Sequence, residues 1–398
     1  MLTSHQIESL VARIEPELIA LRRRIHEHPE LAFEEHETAP AVSNYLAALD
    51  IPHRTGVGKT GVVAMIEGAP AGPTVGVRAD MDALPIEEAS GVPFASRVPG
   101  KMHACGHDVH TTIALGVAHV LSGARAALPG RVKLVFQPAE ETLSGAAAMI
   151  ADGVLDNQAM DAIIGFHNSP RLETGLLGYT EGTGHASSAA FDIVLKGRTG
   201  HAAHPHVGVD AIVGAAQLVT QLQTIVSREI APTVPAVVTI GQIAGGTARN
   251  VIADRAIIKG TTRTRDALVE QRVEEALRRV VAGVAASLRL EFEIDWVRQT
   301  PVMRNDPRVV ARMVEAAREV VGADKVVNIS EPTMGSEDFA WFAERVPAAH
   351  LRIGSRIEEV DTAIHRADYQ CNERAIGIGV RAVTRVMLSL LERVTPSA

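Results

Sequence analysis

Apolar residues Ile7, Leu10, Val11, Ile14, Leu18, Leu21 and Ile25 recur at three- and four-residue steps. That is the spacing of one face of an α-helix, so the chain is expected to open with an amphipathic helix. Short β-rich runs follow at 62–66 and 74–77, then a helical stretch over about 111–127, a run at 132–136, a helix over about 143–152 and a run at 162–166. Strand and helix alternate, the signature of an α/β sheet domain. From about Ser188 the order changes to a strand (190–196), a helix (209–227), two strands (236–243 and 251–262), a helix (267–286) and a strand (289–297). This β-α-β-β-α-β order is the split βαβ motif of a ferredoxin-like fold. Beyond about Gln299 helix and strand return, ending in a helix over 375–394. The expected organisation is an α/β domain made of 1–186 and 299–398, interrupted by an inserted ferredoxin-like α+β domain at 187–298.

Composition narrows the class. The chain has 398 residues, 46% of them apolar, enough for two cores. A formal net charge of -8 excludes a basic nucleic-acid surface and predicts no nucleic-acid partner. No run reaches the roughly 18 unbroken apolar residues of a membrane span, and the N-terminal stretch lacks the short apolar core of a secretory signal. A cytoplasmic protein with no membrane partner is the expectation. Two cysteines, Cys105 and Cys371, form no disulfide framework. Sixteen histidines outnumber the eight Phe, two Trp and three Tyr together, so where they cluster matters.

One motif misleads. Gly56-Val-Gly58-Lys-Thr-Gly61 matches G-x-G-x-x-G, with Asp80 some way downstream, the dinucleotide-binding pattern. That mechanism needs a helix after the glycines, its N-terminus facing a pyrophosphate. Here Gly61 leads into the strand-like run Val62-Val-Ala-Met-Ile66, so the glycines read as a tight turn.

Four polar clusters carry the chemistry. Cys105 and His107 are separated by Gly106 in MHACGHDVH, and thiolate and imidazole are both good ligands for zinc-like metals. Glu140-Glu141 follows the run ending at Phe136, His167 follows the run ending at Phe166, and Asp80-Met-Asp82 follows the run ending at Val77. Singly, these could be a buried thiol beside loop histidines, or solvated carboxylates. Together they lie at the carboxyl ends of expected strands, where open α/β sheets place their sites.

The order RRRIHEHPEL, VRADMDALPI, MHACGHDVHT, FQPAEE, GFH, GGTARNVI and MGSEDF resembles the M20 family of metal-dependent amidohydrolases and peptidases. It is most similar to the branch with hippurate hydrolases and N-acyl-amino-acid amidohydrolases, over about residues 10 to 390. The resemblance implies a metal-binding catalytic domain interrupted by a dimerisation or lid domain, in a homodimer or tetramer. It implies two divalent metal ions per subunit (Zn, Mn, Co or Ni) held by Cys105, His107, Glu141, His167 and His365. Glu140 becomes the general base, with Asp82 beside the ligands. His201, in GHAAHPH, becomes a donor to the developing oxyanion, commonly across the dimer. Asn250 and Arg263 match positions that hold substrate, and a guanidinium suits the carboxylate of an N-acyl amino acid. His103, His110, His204, His206 and His350 are left as supporting or structural residues, and Cys371 as a packed thiol.

The chain departs from the family pattern at several points. Ala253 stands where relatives have Pro, Arg366-Ala367 where they have Ser-Pro after the histidine, and Asn168-Ser169 where they are more apolar. Relatives in the wider family carry a histidine ligand at the place of Asp80, whose role is open. The implied reaction is hydrolysis of the amide bond of an N-acyl or N-aroyl amino acid, a small-molecule substrate. Competing readings are a dipeptidase or an N-acyl-diaminopimelate deacylase, a non-catalytic metal-stabilised binding protein, and, from the glycine motif, a nicotinamide oxidoreductase.

Overall fold

The computed structural model describes residues 2–156, 159–330 and 333–392. The chain divides into two compact units, one made of Met1–Gly184, Arg304–Pro332 and Asp338–Ala398, the other of His185–Met303 and Thr333–Glu337. The second unit therefore starts and ends a few residues away from the expected 187–298. It also takes in a short later segment, because the Ala186 N–H donates to the Gly335 carbonyl (3.1 Å).

The first unit is built on an eight-stranded mixed sheet. Its order is β1 (His53–Val57), β2 (Gly61–Ile66), Arg131–Gln137, Thr74–Asp80, Ala162–Glu173, Ala348–Arg356, Leu177–Tyr179 and Val326–Asn328. The four central strands run parallel, and the strand Thr74–Asp80 is buried at every position. Such a strand reads as a continuous apolar run, which is how it was recognised. It continues to Asp80 where the apolar pattern stops at Val77, and the strand from Ala162 continues to Glu173. His167 thus lies inside a strand and not after one. Polar Asp80 and His167 conceal this extension, because each is buried with hydrogen-bond partners that only the fold supplies.

The opening helix, Ser4–Glu27, begins with a capping box in which the Thr3 and Gln6 side chains accept from each other's backbone N–H. It buries Ile7, Val11, Leu18, Leu21 and Ile25 and packs with the helices His107–Gly123 and Arg374–Leu391. These residues join the sheet's apolar side chains in one continuous core. The expected end of the last helix at Val394 lies outside the described residues.

The glycine motif is a hairpin turn. β1 and β2 pair antiparallel on either side of it, Gly56 and Gly58 adopt positive φ (76° and 63°), and no helix follows. An added Cβ on Gly58 would meet the Met149 backbone N at 2.8 Å, so close packing explains that glycine.

The second unit has four antiparallel strands in the order Glu291–Thr300, Ser187–Lys196, Arg255–Thr264, Ala236–Gly245. Two helices, Ala211–Thr224 and Ala267–Leu288, complete the β-α-β-β-α-β order. Both are N-capped by an aspartate, Asp210 and Asp266, each accepting from two backbone N–H groups. Their buried faces form the unit's own core with Phe191, Ile193, Leu195 and Ile258. Among the described residues, no helix is long and apolar enough to cross a membrane.

Candidate metal centre

The carboxyl ends of the central strands and the loops after them converge in the first unit. Gly106 caps the helix His107–Gly123 in a left-handed conformation (φ 89°). A Cβ there would sit 2.4 Å from Asn168 Oδ1 and 2.5 Å from the Tyr369 hydroxyl. Only glycine fits, and its turn places Cys105 and His107 on one side. Glu140 and Glu141 follow Ala139, a non-glycine residue at φ 53°. His365 is also left-handed (φ 63°), and its N–H donates to the Ala104 carbonyl (2.8 Å), tying its loop to that of Cys105. Strained backbone of this kind persists only where the surroundings over-determine it.

Side-chain donor atoms gather in overlapping groups, each within 4.8 Å: Cys105, His107 and His167; Cys105, Glu141 and His365; His107, Glu140 and Glu141; and Asp80, His107 and His110. Six are buried outright: Asp80, Cys105, His107, His110, Glu140 and His167. The five residues implied as ligands are therefore brought together, with Cys105 and His107 shared between groups. Cys105 Sγ lies 3.3 Å from His167 Nε2, and His365 Nε2 lies 3.4 Å from Glu141 Oε2.

A second layer fixes which way these groups face. His167 Nδ1 is 2.6 Å from the Asn168 carbonyl, which only accepts, so Nδ1 carries the proton and Nε2 offers its lone pair. His107 Nδ1 does the same toward Asp82 Oδ1 (3.3 Å). Asp82 also accepts the backbone N–H of Glu140 and of Glu141, both at 3.0 Å. One carboxylate thus orients a histidine and both glutamates. Asp80 accepts from Arg78 (2.6 Å) and from His110 Nδ1 (2.5 Å), while His110 Nε2 accepts the Asn168 N–H (2.9 Å). Arg78, fully buried, also donates to Asp338 (3.0 Å) and Gln137 (2.8 Å). These contacts give Asp80 a place among the groups that brace the site. The sequence left His110 without a partner, marked Asn168 only as a departure from the family pattern, showed Gln137 only within the FQPAEE motif, and gave Tyr369 no role. Arg78 and Asp338 lay inside quoted motifs, and only the fold pairs them.

Does this donor set fit metal ions? His107 Nε2 and Glu141 Oε1 are buried, have no hydrogen-bond partner among the described residues and face each other at 3.8 Å. Two polar atoms so placed and dry, with Asp80 Oδ2 also 3.7 Å from His107 Nε2, are unfavourable unless a proton or a metal ion lies between them. Against burial, Asp80 and Cys105 raise the His107 pKa well above its usual value, which shows how strongly the site draws positive charge. Bonds of about 2.0–2.3 Å to nitrogen, oxygen and sulfur suit such spacing. Burial pushes the Cys105 thiol up, reinforced by the Glu141 charge, and a coordinating cation supplies the field that ionises such a thiol. Burial, with His110 and Arg352 nearby, pushes His167 well down and keeps it a neutral donor. For Glu141, burial is overcome by His365 and His107, which hold its carboxyl below the usual range. The mixed sulfur, nitrogen and oxygen set fits.

His103 is buried with neither ring nitrogen bonded among the described residues, and burial pushes it down to about 3. His350 is buried in the strand Ala348–Arg356. Cys371 is buried near Arg22 (3.7 Å).

In the second unit, His201 bridges Val251, and the Ala202 N–H donates to the Asn250 carbonyl (3.1 Å), so the His201 and Asn250 loops lie side by side and exposed. His204 and His206 extend this exposed loop. Arg263 does not join them. It lies eight residues along the strand from Arg255, about 26 Å at 3.3 Å per residue. Burial lowers its pKa, and its guanidinium donates to the Thr262 carbonyl (2.9 Å).

Comparison with known proteins places the chain. Residues 76–389 match the family described as Peptidase family M20/M25/M40. An N-acetylcysteine deacetylase of Bacillus subtilis is 40% identical, over 95% of this chain and 97% of its own. An IAA-amino acid hydrolase of Arabidopsis thaliana is 38% identical, over 91% of this chain and 82% of its own. The crystal structure of a dinuclear metal-binding M20 peptidase from Bacillus subtilis superposes with a TM-score of 0.83 at 36% identity, covering 96% of this chain and 99% of that one. The chain belongs to the M20 peptidase family, as a metal-dependent hydrolase acting on amide bonds.

Proposed function

We propose that this protein is a two-metal amidohydrolase that cleaves N-acyl or N-aroyl amino acids, hippurate-like compounds among them, to a carboxylate and a free amino acid. The observation that carries this reading is the unpartnered pair His107 Nε2 and Glu141 Oε1, buried within a ring of further donors from Cys105, His167 and His365. These five residues hold two divalent ions, of Zn, Mn, Co or Ni type. The bound ions supply Lewis acidity that polarises the amide carbonyl and acidifies water. Glu140, buried beside the ligands, accepts the proton of the attacking water and delivers it to the leaving amine nitrogen. Asp82 keeps Glu140 and Glu141 aimed apart by accepting from both backbone N–H groups.

His201 donates to the oxygen that becomes anionic as the amide carbon turns tetrahedral, and Asn250 and Arg263 bind the substrate. Arg263 lies about 26 Å along its strand from Arg255, the strand end nearer to Asn250 in the chain, and an N-acyl amino acid is far shorter. This favours a homodimer, in which His201 and Asn250 serve the neighbouring subunit's site. The exposed apolar residues Ile212, Val213, Ile243 and Val251 of the second unit support such a pairing surface. The acidic net charge fits a cytoplasmic enzyme without nucleic-acid or membrane partners.

A panel of N-acetyl amino acids, N-benzoyl amino acids, N-acyl-diaminopimelate and dipeptides, assayed with each metal, tests the substrate class. Turnover of the first two groups well above the others is expected. Preference for dipeptides, or no metal-restored hydrolysis at all, overturns the reading.

A further inference from the structure

Glu35 is fully buried in the segment after the opening helix, outside every cluster of metal donors among the described residues. Its Oε1 accepts from the Ala139 N–H (3.0 Å) and the Phe33 N–H (3.2 Å), and its Oε2 accepts from the Thr60 hydroxyl. Thr60 belongs to the glycine-rich turn joining β1 and β2, the motif that found no use as a nucleotide site. Lys59 of that turn lies over the Phe33 ring (3.9 Å), and an added Cβ on Gly61 would meet Pro138 Cδ at 3.0 Å. The turn is therefore packed against the segment that leads into Glu140.

Three consecutive backbone N–H groups, of Ala139, Glu140 and Glu141, are all taken by buried carboxylates. Asp82 holds the second and third, and Glu35 holds the first. Ala139 is the residue at φ 53°, a conformation an alanine leaves for negative φ unless something holds it. Rotation there swings the next Cα–Cβ bond, which carries the Glu140 carboxylate. A buried carboxylate is costly unless its oxygens are bonded; of the partners of Glu35, the Phe33 N–H fixes its own segment, while the Ala139 N–H and the Thr60 hydroxyl tie it to this turn and to the hairpin.

We propose that Glu35 is a positioning residue for Glu140: it holds the left-handed Ala139 turn through its N–H and braces that turn on the β1–β2 hairpin through Thr60. The inference rests on the reading of Glu140 as the proton acceptor. It also gives the glycine-rich turn a purpose, as a rigid support for the catalytic loop.

The test compares Glu35→Gln, Glu35→Met, Glu35→Asp and Thr60→Val in the full-length, metal-loaded enzyme, using the best substrate of the acyl-amino-acid panel. Glutamine keeps an acceptor for Ala139. Methionine keeps the volume without the acceptor, and aspartate keeps the charge but withdraws it. For Glu35→Met and Glu35→Asp, kcat per metal-loaded site is expected to fall about tenfold to a hundredfold, the scale of a misplaced catalytic group. KM and metal content stay unchanged, while amide hydrogen exchange of 139–141 accelerates. Glu35→Gln is expected to recover most of the kcat, and Thr60→Val to lie between. Normal kcat and unchanged exchange in Glu35→Met, or in Glu35→Asp should the methionine variant not fold, overturns the inference. A loss that glutamine does not rescue overturns it too, because it marks a merely structural carboxylate. Glu140→Gln is the control: near-normal turnover in that variant removes the proton-acceptor reading itself, whereas its inactivity beside a normal Glu35→Met removes only the role of Glu35.

Discussion

The metal-donor loops of the first unit and the His201–Asn250 edge of the second differ in how their polar groups are held. Around Cys105, His107 and Glu141, most side chains are buried and a second residue fixes their direction: Asp82 for His107, the Asn168 carbonyl for His167, Asp80 for His110. Around His201 the side chains are exposed, and the recorded partner of the His201 ring is the nearby Ala203 N–H (3.1 Å). A preorganised site acts through groups that do not reorganise during reaction. The donor loops meet that standard alone. The exposed edge does not, which agrees with a site completed by a second copy.

Breaking the first region has the largest expected effect. Glu140→Gln lowers kcat by about 10²–10⁴-fold, the usual contribution of a general base, with metal content unchanged by elemental analysis. His201→Ala lowers kcat by about 10²–10³-fold, the loss typical of an oxyanion donor. Mixing His201→Ala chains with Glu140→Gln chains sharpens the comparison: if the edge serves the neighbouring subunit, each heterodimer regains one working site, and steady-state rates rise after subunit exchange. Rates that stay at the level of the parent variants place His201 and Glu140 in the same chain's site.

Asp82→Asn comes next. An amide cannot accept from His107 and two backbone N–H groups as a carboxylate does, so metal affinity falls by about 10- to 100-fold, read by competition with a chelating dye. The smallest effect is on folding. Gly106→Ala strains a left-handed cap and crowds Asn168 and Tyr369, lowering stability by about 1–3 kcal/mol in a denaturant titration.

These contrasts explain what could be read from the sequence. Strands buried on both faces, such as Thr74–Asp80 and Arg131–Gln137, announce themselves as apolar runs, and the inserted unit shows its β-α-β-β-α-β order through periodicity alone. Cys105, His107 and the Glu140-Glu141 pair stood out because their residue types cluster within a few positions. Glu35, Gln137, Asn168 and Asp338 did not. Each is a common polar residue whose meaning comes from a partner far along the chain, as with Arg78 and Asp338. The β1 strand was missed because it is a largely exposed edge with little apolar pattern. Arg263 illustrates the reverse: its residue type suited the substrate, yet nothing in its local pattern marks its place near the far end of the strand that follows the Asn250 loop.

In the proposed reaction, hydrolysis depends on two ions held by Cys105, His107, Glu141, His167 and His365. The most direct test of this dependence is to strip the enzyme with a chelator and titrate a divalent metal back while measuring N-acyl-amino-acid hydrolysis and bound metal together. The account predicts that activity disappears on stripping and returns to a plateau at two bound ions per chain. Activity that survives stripping, or a plateau at one ion, would contradict it.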